Sequence, residues 1–200
     1  MRLLTSSTRP SVLRGLAAAL VAAAIVPAHA APQRRHTAPE VFNGRASVAA
    51  AAGRGDAYVT IRVDRYSADK DLAAMERTLK EGGSAAFGLA LRQAPIVGQF
   101  EVGSRTFAIR WARQRATDRG RVISLVTDAP VYFVGGGVPG ARSREGFDVA
   151  VIQLTLDSSG LGEGTMAAAA SVKPGDQGGV AVDAYEGDPI KLRSIIRKIS

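Results

Sequence analysis

The chain has 200 residues, a formal net charge of +8 at pH 7, no cysteine and two histidines. Both histidines, His29 and His36, lie near the amino terminus, ahead of the segment that we expect to fold. Ser-His-Asp triads, Cys-His dyads and Cys/His zinc sites are therefore excluded from that segment, because the base, nucleophile or ligands are missing. No cofactor or metal site is predicted, and any catalysis would rely on carboxylates, Lys, Tyr, Ser or a hard cation held by oxygens.

Residues 1–30 have the pattern of a secretory signal peptide. Three arginines precede an apolar run at 15–26, and the small residues of AHA stand directly before Ala31. We therefore expect a periplasmic or secreted bacterial protein whose mature chain begins at Ala31. The apolar run is shorter than the roughly 20 residues of a spanning helix, and no second run follows, so no stable membrane insertion is expected. A retained anchor helix is the alternative.

The rest of the chain divides into a tether and one domain. Residues 31–45 are polar, contain proline and lack periodicity, which is typical of a flexible tether. Residues 46–200, about 155 in number, suffice for one domain with a proper core and are too few for two. Because cysteine is absent, packing alone must stabilise this domain.

The first elements of the domain are a β-hairpin and a pair of helices. Apolar and polar residues alternate from 57 to 64, which is the period of a half-buried strand. The period then becomes helical, with a first helix over 67–83 that Ser67 can cap and two glycines end, and a second helix over 84–94. We expect this pair to cover a sheet with its apolar stripe.

From residue 96 onward, short strand-like segments alternate with turn clusters. Examples of the segments are TFAIRWARQ, RVISLVTD and FDVAVIQLTLD, and examples of the turns are TDRG, DSSG and KPGDQGG. This spacing, without helical patterns between the segments, indicates antiparallel pairing. The sequence predicts a mainly β fold, namely an antiparallel β-barrel or sandwich of about eight to ten strands with a two-helix insertion after the second strand.

A glycine-rich loop at 135–140, GGGVPG, has the G-x-G-x-x-G spacing of dinucleotide-binding loops. Such a loop needs a helix directly after it, because the helix N-terminus supplies the amides and the dipole that hold the pyrophosphate. The strand-like FDVAVIQL follows here instead, and the Gly-Lys-Ser/Thr of a P-loop is missing. We interpret the loop as a connection between two strands.

Arginines are concentrated between residues 105 and 121, and two more follow the glycine-rich loop. One interpretation is a solvated strand face with a charged hairpin tip, which protects an edge strand. The other is an anion site, in which forked guanidinium groups bind phosphate, carboxylate or an acidic envelope polymer. The candidate ligand-binding residues are Arg110, Arg113, Arg142 and Arg144. Strict alternation along the strand places Arg113 on the face of Ile109 and Trp111, and Arg110 on the other face.

Three functions follow from these patterns as hypotheses. The leading one is a non-enzymatic domain that binds a small ligand or a cell-envelope component, an anionic one if the arginines are used. The first alternative is a hydrolase of envelope polysaccharide with two facing carboxylates, one of raised pKa. The second is a structural envelope protein with a large exposed apolar patch. Nucleic acid is not expected as a partner, because export separates the protein from it and the aromatic residues are not interleaved with the arginines.

Four segments resemble a family of small exported bacterial proteins of unknown function. These segments are DRYSADKDLAAMERTLKEGG, WARQR, VISLVTDAPVYF and RSREGFDVAVIQLTLDSSGLGEGTM. The resemblance covers most of residues 45–196, and it implies a shared fold and a loop with an Arg-Ser-Arg segment before a strand. It implies no activity, ligand or catalytic residue, and the triple glycine is not part of the family pattern.

Overall fold

A closed antiparallel β-barrel forms the centre of the computed structural model. The structure describes residues 38–50, 53–132, 146–176, 178–185 and 188–198, all within one compact unit. Within these residues the strands are β1 (Glu40–Ala50), β2 (Gly53–Val63), β3 (Gly98–Val102), β4 (Arg105–Thr117), β5 (Gly120–Thr127), β6 (Val149–Asp157), β7 (Leu161–Pro174), β8 (Val180–Tyr185) and β9 (Ile190–Lys198). The predicted antiparallel, mainly β fold is confirmed.

Barrel closure comes from the pairing of β6 with β7. The strand order of the sheet is β6-β5-β4-β3-β2-β1-β9-β7-β8. The additional pairing of β6 with β7 closes eight of these strands into a barrel, and β8 lies outside it. Inward side chains alternate along the strands, and those of Phe42, Ile61 and Phe100 are fully buried in the interior core. An eight-stranded barrel is just wide enough for side chains to fill it. The clefts of this molecule that we describe below therefore lie on its outer face and at one end.

The first strand begins earlier than the sequence pattern indicates. Residues 40–45, which were predicted to belong to the tether, pair with β2 on one side and with β9 on the other. This part of the tether prediction is wrong. The inward positions at the start of β1 are Glu40, Phe42 and Gly44, so only one of the three carries an apolar side chain and the alternation is hidden.

One helix, α1 (Asp69–Gln93), connects β2 to β3. The prediction of two helices is wrong: Gly83 has φ 68° and ψ −168° and kinks the element, but helical structure resumes at once. Ser67 is not the N-cap, because Ala68 occupies that position and Ser67 Oγ accepts a hydrogen bond from the backbone N–H of Ala112 at 3.1 Å instead. Within the described residues, no helix has both the length and the apolar character needed to cross a membrane.

A second core lies between α1 and the outer face of the barrel. Leu79 and Phe87 of α1 pack there with Trp111 of β4 and Val151 of β6. A register shift between Ile109 and Trp111 separates these two residues, so that Ile109 enters the barrel interior and Trp111 the outer core. The predicted common face of Ile109 and Trp111 is therefore wrong, because a β-bulge inserts one residue into the alternation.

The second half of β7 leaves the barrel and forms a hairpin with β8. Residues 170–174 of β7 pair with β8, whereas the first half of β7 pairs with β9. We call this hairpin, residues 170–185, the flap. Its Val172 and Val182 pack in the outer core, and the N–H of Val172 donates a hydrogen bond to Ser84 Oγ of α1 at 3.0 Å. The flap is thus held against the outer face of the barrel.

Candidate functional site

A groove runs between the flap and the outer face of the barrel. It consists of two adjoining clefts of about 260 Å³ and 320 Å³, which share the residues Ser124, Gln153 and Val180. We call the pair the flap groove, the first cleft its polar end and the second its apolar end. Together they reach the lower part of the range of about 300–1,000 Å³ that is typical of small-molecule sites.

The polar end of the flap groove is lined by Arg113 and Arg115 of β4. In the register of the sheet, Arg113 lies opposite Ser124 of β5, and Ser124 lies opposite Gln153 of β6. Two guanidinium groups, a hydroxyl group and a carboxamide therefore face the same cleft. Among the described residues, Arg115 makes no hydrogen bond or ion pair with any other.

The tip of the flap closes one side of the polar end. Gly179 has φ +87°, which favours glycine, and a Cβ atom there would lie 2.8 Å from Nη1 of Arg113, so a larger residue would displace the end of that side chain. Nη1 of Arg113 is also 3.5 Å from Oε1 of Glu76 on α1. Asp176 of the tip lines the same cleft and brings one acidic group to it.

The apolar end of the flap groove lies between β8 and the outer face of β6 and β7. Val151 and Ala167 line it from the barrel, and Val182 and Tyr185 line it from the flap. Tyr185 is 46% exposed, so its ring is accessible from solvent. This end offers an aromatic ring and aliphatic groups beside the polar end.

Of the four arginines predicted as ligand-binding residues, the structure describes Arg110 and Arg113, and these two do not line the same cleft. Arg113 lines the flap groove, but Arg110 donates hydrogen bonds to the carboxylate of Asp128 and to the carbonyl oxygen of Ala94, just after α1. Arg110 thereby ties the end of α1 to β4 and β5. Arg142, Arg144 and the glycine-rich loop at 135–140 lie outside the described residues, so their predicted roles remain predictions.

Apart from the flap groove, a cleft of about 790 Å³ lies at the end of the barrel where β4 meets β5. Its wall includes Tyr66 and Arg121, and beneath it lies the buried carboxylate of Glu40. Arg121 donates two hydrogen bonds to this carboxylate, at 2.9 Å and 2.7 Å, and the hydroxyl of Tyr66 donates a third at 2.6 Å. Arg121 also donates to Gln114 Oε1 at 3.1 Å. The cleft therefore has a floor of polar groups that already bind one another.

Among the described residues, two carboxyl groups have displaced pKa values, and neither is suited to general-acid catalysis. Burial alone would raise the pKa of Glu40, but hydrogen bonds from Arg121 and Tyr66 outweigh it and lower the pKa. Hydrogen bonds from the side chain of Ser159 and the backbone of Leu161 lower the pKa of exposed Asp157. A general acid needs the opposite shift. Burial and the neighbouring Glu40 raise the pKa of Tyr66, which therefore stays neutral.

A third cleft, of about 780 Å³, continues the flap groove toward β9. It shares Gln153 and Thr165 with the apolar end, and it is lined on the far side by Lys191 and Arg193 of β9. We call it the β9 cleft. Lys191 and Arg193 form no ion pair within the described part of the chain, and Glu163 is the acidic residue that lines this cleft.

Sequence reasoning found one residue of the groove and missed most of the others. Ser124 and Gln153 interrupt the apolar strands RVISLVT and VAVIQLTLD at outward positions, and this break was the available signal. Glu40 escaped notice because it was assigned to the tether. Its partnership with Arg121 depends on strands that are 81 residues apart in the chain.

No protein-family model, curated protein or solved structure matches the chain. The function is therefore argued from the geometry and the charge of these clefts, because a barrel fold by itself supports many functions. The resemblance to a family of exported bacterial proteins remains a prediction.

Proposed function

We propose that the chain is an exported, non-catalytic domain that binds an anionic ligand at the polar end of the flap groove. The observation that carries this proposal is the convergence of Arg113, Arg115, Ser124 and Gln153 on one concave surface, where Arg115 has no partner among the described residues. Guanidinium groups bind carboxylate and phosphate through paired N–H donors, which makes these bonds stronger and more directional than those to neutral groups.

The position of the cleft also supports binding of an anion. The tip of the flap lies against Arg113, whose side chain is partly buried, whereas Arg115 is exposed. A partly buried charge is screened less by salt than a fully exposed one. The hydroxyl of Ser124 and the amide of Gln153 can donate further hydrogen bonds to anionic oxygens. Export is supported by the signal-peptide pattern at residues 1–30, and an anionic envelope component is then the natural ligand.

Thermal unfolding of the full-length chain tests this proposal. Inorganic phosphate and glucuronate serve as probes, and Arg115→Ala is compared with Arg62→Ala, which removes an exposed arginine of β2 that pairs with Asp64. A probe at about 100 times its Kd stabilises the folded state by roughly 2.7 kcal/mol. We expect both the native chain and Arg62→Ala to show this stabilisation and Arg115→Ala to lose most of it. An absence of stabilisation by both probes, or equal stabilisation of Arg115→Ala, would overturn the proposal.

A further inference from the structure

A row of polar side chains crosses the outer face of the barrel from strand to strand. Arg113 lies opposite Ser124, Ser124 opposite Gln153, Gln153 opposite Thr165, and Thr165 opposite Lys191. Each step moves to the next strand, from β4 through β5, β6 and β7 to β9. At about 4.8 Å per strand, the four steps follow roughly 19 Å of the curved outer surface, half-way around the eight-stranded barrel. We call these five residues the polar row.

The clefts that follow the polar row are continuous. The polar end and the apolar end of the flap groove meet at Ser124 and Gln153, and the apolar end meets the β9 cleft at Gln153 and Thr165. The result is a series of adjoining open clefts, here called the groove, that wraps around the outer surface of the barrel, with Tyr185 at its side. A groove of this shape accommodates an extended chain better than a compact small molecule.

Positive charge is concentrated at the two ends of the polar row. Arg113 and Arg115 stand at one end, and Lys191 and Arg193 at the other. Asp176 and Glu163 line the same clefts, and Glu76 lies 3.5 Å from Arg113, so four basic residues face three acidic ones. The middle of the row is neutral and consists of hydroxyl and amide groups that both donate and accept hydrogen bonds.

We infer that the groove binds an extended acidic oligosaccharide along the polar row. This inference rests on the proposed function and names its ligand class. Carboxylates near the two ends of the oligosaccharide would bind to the cationic pairs, and sugar hydroxyls between them would bind to Ser124, Gln153 and Thr165. The half-exposed ring of Tyr185 offers an apolar face to a sugar ring.

The distribution of groups in the groove favours a glycan over other polyanions. A polyphosphate offers only acceptor oxygens, so it could accept from the hydroxyl and amide groups in the middle of the row but could not donate to their oxygens. A purely apolar chain would leave the hydroxyl and amide groups of the row without hydrogen bonds, which is costly wherever the ligand covers them. An acidic oligosaccharide offers carboxylates to the cationic pairs and hydroxyl groups, which both donate and accept, to the neutral middle of the row.

A series of oligogalacturonates from monomer to hexamer tests the inference on the full-length chain. Calorimetry measures the affinity, and the fluorescence of Trp111, the one tryptophan of the chain, reports binding because this side chain lines the polar end. We expect affinity to rise with length until the oligomer spans the groove. Maltohexaose, a neutral oligomer of equal length, should bind at least about tenfold more weakly, the loss typical of one charge-assisted hydrogen bond.

Variants at the two ends separate this inference from the proposed function. Lys191→Ala should weaken hexamer binding about tenfold and leave monomer binding unchanged, whereas Arg115→Ala should weaken both. Arg62→Ala, outside the groove, is the matched control and should change neither. Equal affinity for monomer and hexamer, with no effect of Lys191→Ala, would overturn the extended ligand and leave the proposed function standing.

Two further outcomes complete the test. If Arg115→Ala bound every oligomer with the same affinity as the native chain, the proposed function and the inference would both be overturned. Binding of linear polyphosphate with the same length dependence and the same affinity as oligogalacturonate would overturn the assignment to a sugar, because charge alone would then account for the binding.

Discussion

Arg121 and Glu40 form a two-pronged ion pair inside the end of the barrel. Nη1 of Arg121 donates to Oε2 of Glu40 at 2.9 Å, and Nη2 donates to Oε1 at 2.7 Å. Both side chains are about 5% exposed, and the guanidinium carbon lies 5.7 Å from the ring centre of Phe42. The pair joins β5 to β1 across the barrel interior, so it links the first strand to the rest of the fold.

Loss of Arg121 should destabilise the protein strongly. Arg121→Ala leaves the buried carboxylate of Glu40 without its two-pronged partner, and breaking a buried ion pair in this way costs about 3–5 kcal/mol. Arg197→Ala is the matched control, because Arg197 contacts the same carboxylate at 3.4 Å from a more exposed position. Urea unfolding should show a clearly smaller loss for Arg197→Ala. Equal losses for both variants would contradict the central role of Arg121.

Stability should fall in acid because of Glu40. Its pKa is lowered in the folded state, so its contribution is present above the ordinary value of 4.5 and is lost as the pH falls through the folded-state pKa. Glu40→Gln cannot titrate at this position. We expect urea unfolding between pH 6 and pH 3 to show a shallower pH dependence for Glu40→Gln than for the native chain. Parallel curves would exclude Glu40 as a source of the acid sensitivity.

Tyr66 should act in the opposite pH range. Burial and the neighbouring carboxylate of Glu40 raise its pKa above 10, so its contribution is complete below pH 10 and is lost as the pH rises further. In Tyr66→Phe the hydroxyl is absent, and one hydrogen bond to Glu40 is lost at every pH. At pH 8 the free energy of unfolding should therefore be lower for Tyr66→Phe than for the native chain, and it should decline less between pH 8 and pH 11. A steeper alkaline decline in the variant would refute this assignment.

Two glycines should differ sharply in their tolerance of alanine. A Cβ atom at Gly162 would lie 1.9 Å from the carbonyl oxygen of Thr155 on β6, so Gly162→Ala must push β6 and β7 apart. Gly103, in the turn between β3 and β4, has φ +59° and no atom within 4 Å of the added Cβ, so Gly103→Ala pays only backbone strain of about 1–2 kcal/mol. Denaturant unfolding should show a larger loss for Gly162→Ala, and a smaller loss would contradict the tight approach.

Loss of Arg110 should lower the stability of the fold, whereas loss of Arg115 should weaken ligand binding. Arg110→Ala removes the partner of Asp128 and the donor to the Ala94 carbonyl, which should cost about 1.5–3 kcal/mol, the range for hydrogen bonds to charged groups. Because Arg110 does not line the flap groove, its loss should leave glucuronate affinity unchanged at a temperature where the variant is folded. Arg115→Ala should show the reverse pattern. If calorimetry showed weaker glucuronate binding by Arg110→Ala, Arg110 would contribute to binding and the prediction would be contradicted.

The predictions from sequence succeeded where a property belongs to one segment. Alternation along residues 57–63 indicated a strand, and the structure has it as part of β2. Turn clusters such as TDRG and DSSG separate the strands of the β4–β5 and β6–β7 hairpins. Gly82 and Gly83 indicated a break in the helical pattern, but α1 continues beyond the kink at Gly83. Whether a helix resumes after a glycine depends on what its next turns pack against, which the local sequence does not show.

The sequence by itself determined the mainly β, antiparallel character of the domain, because periodicity and turn chemistry act over a few neighbouring residues. Only the tertiary structure decided that the sheet closes through β6 and β7, and that a bulge places Trp111 outside and Ile109 inside. It also placed Glu40 beside Arg121 and aligned Arg113 with Lys191 across five strands. Register and closure depend on hydrogen bonds and packing between strands that are distant in the chain, and a local sequence pattern does not show which strands pair.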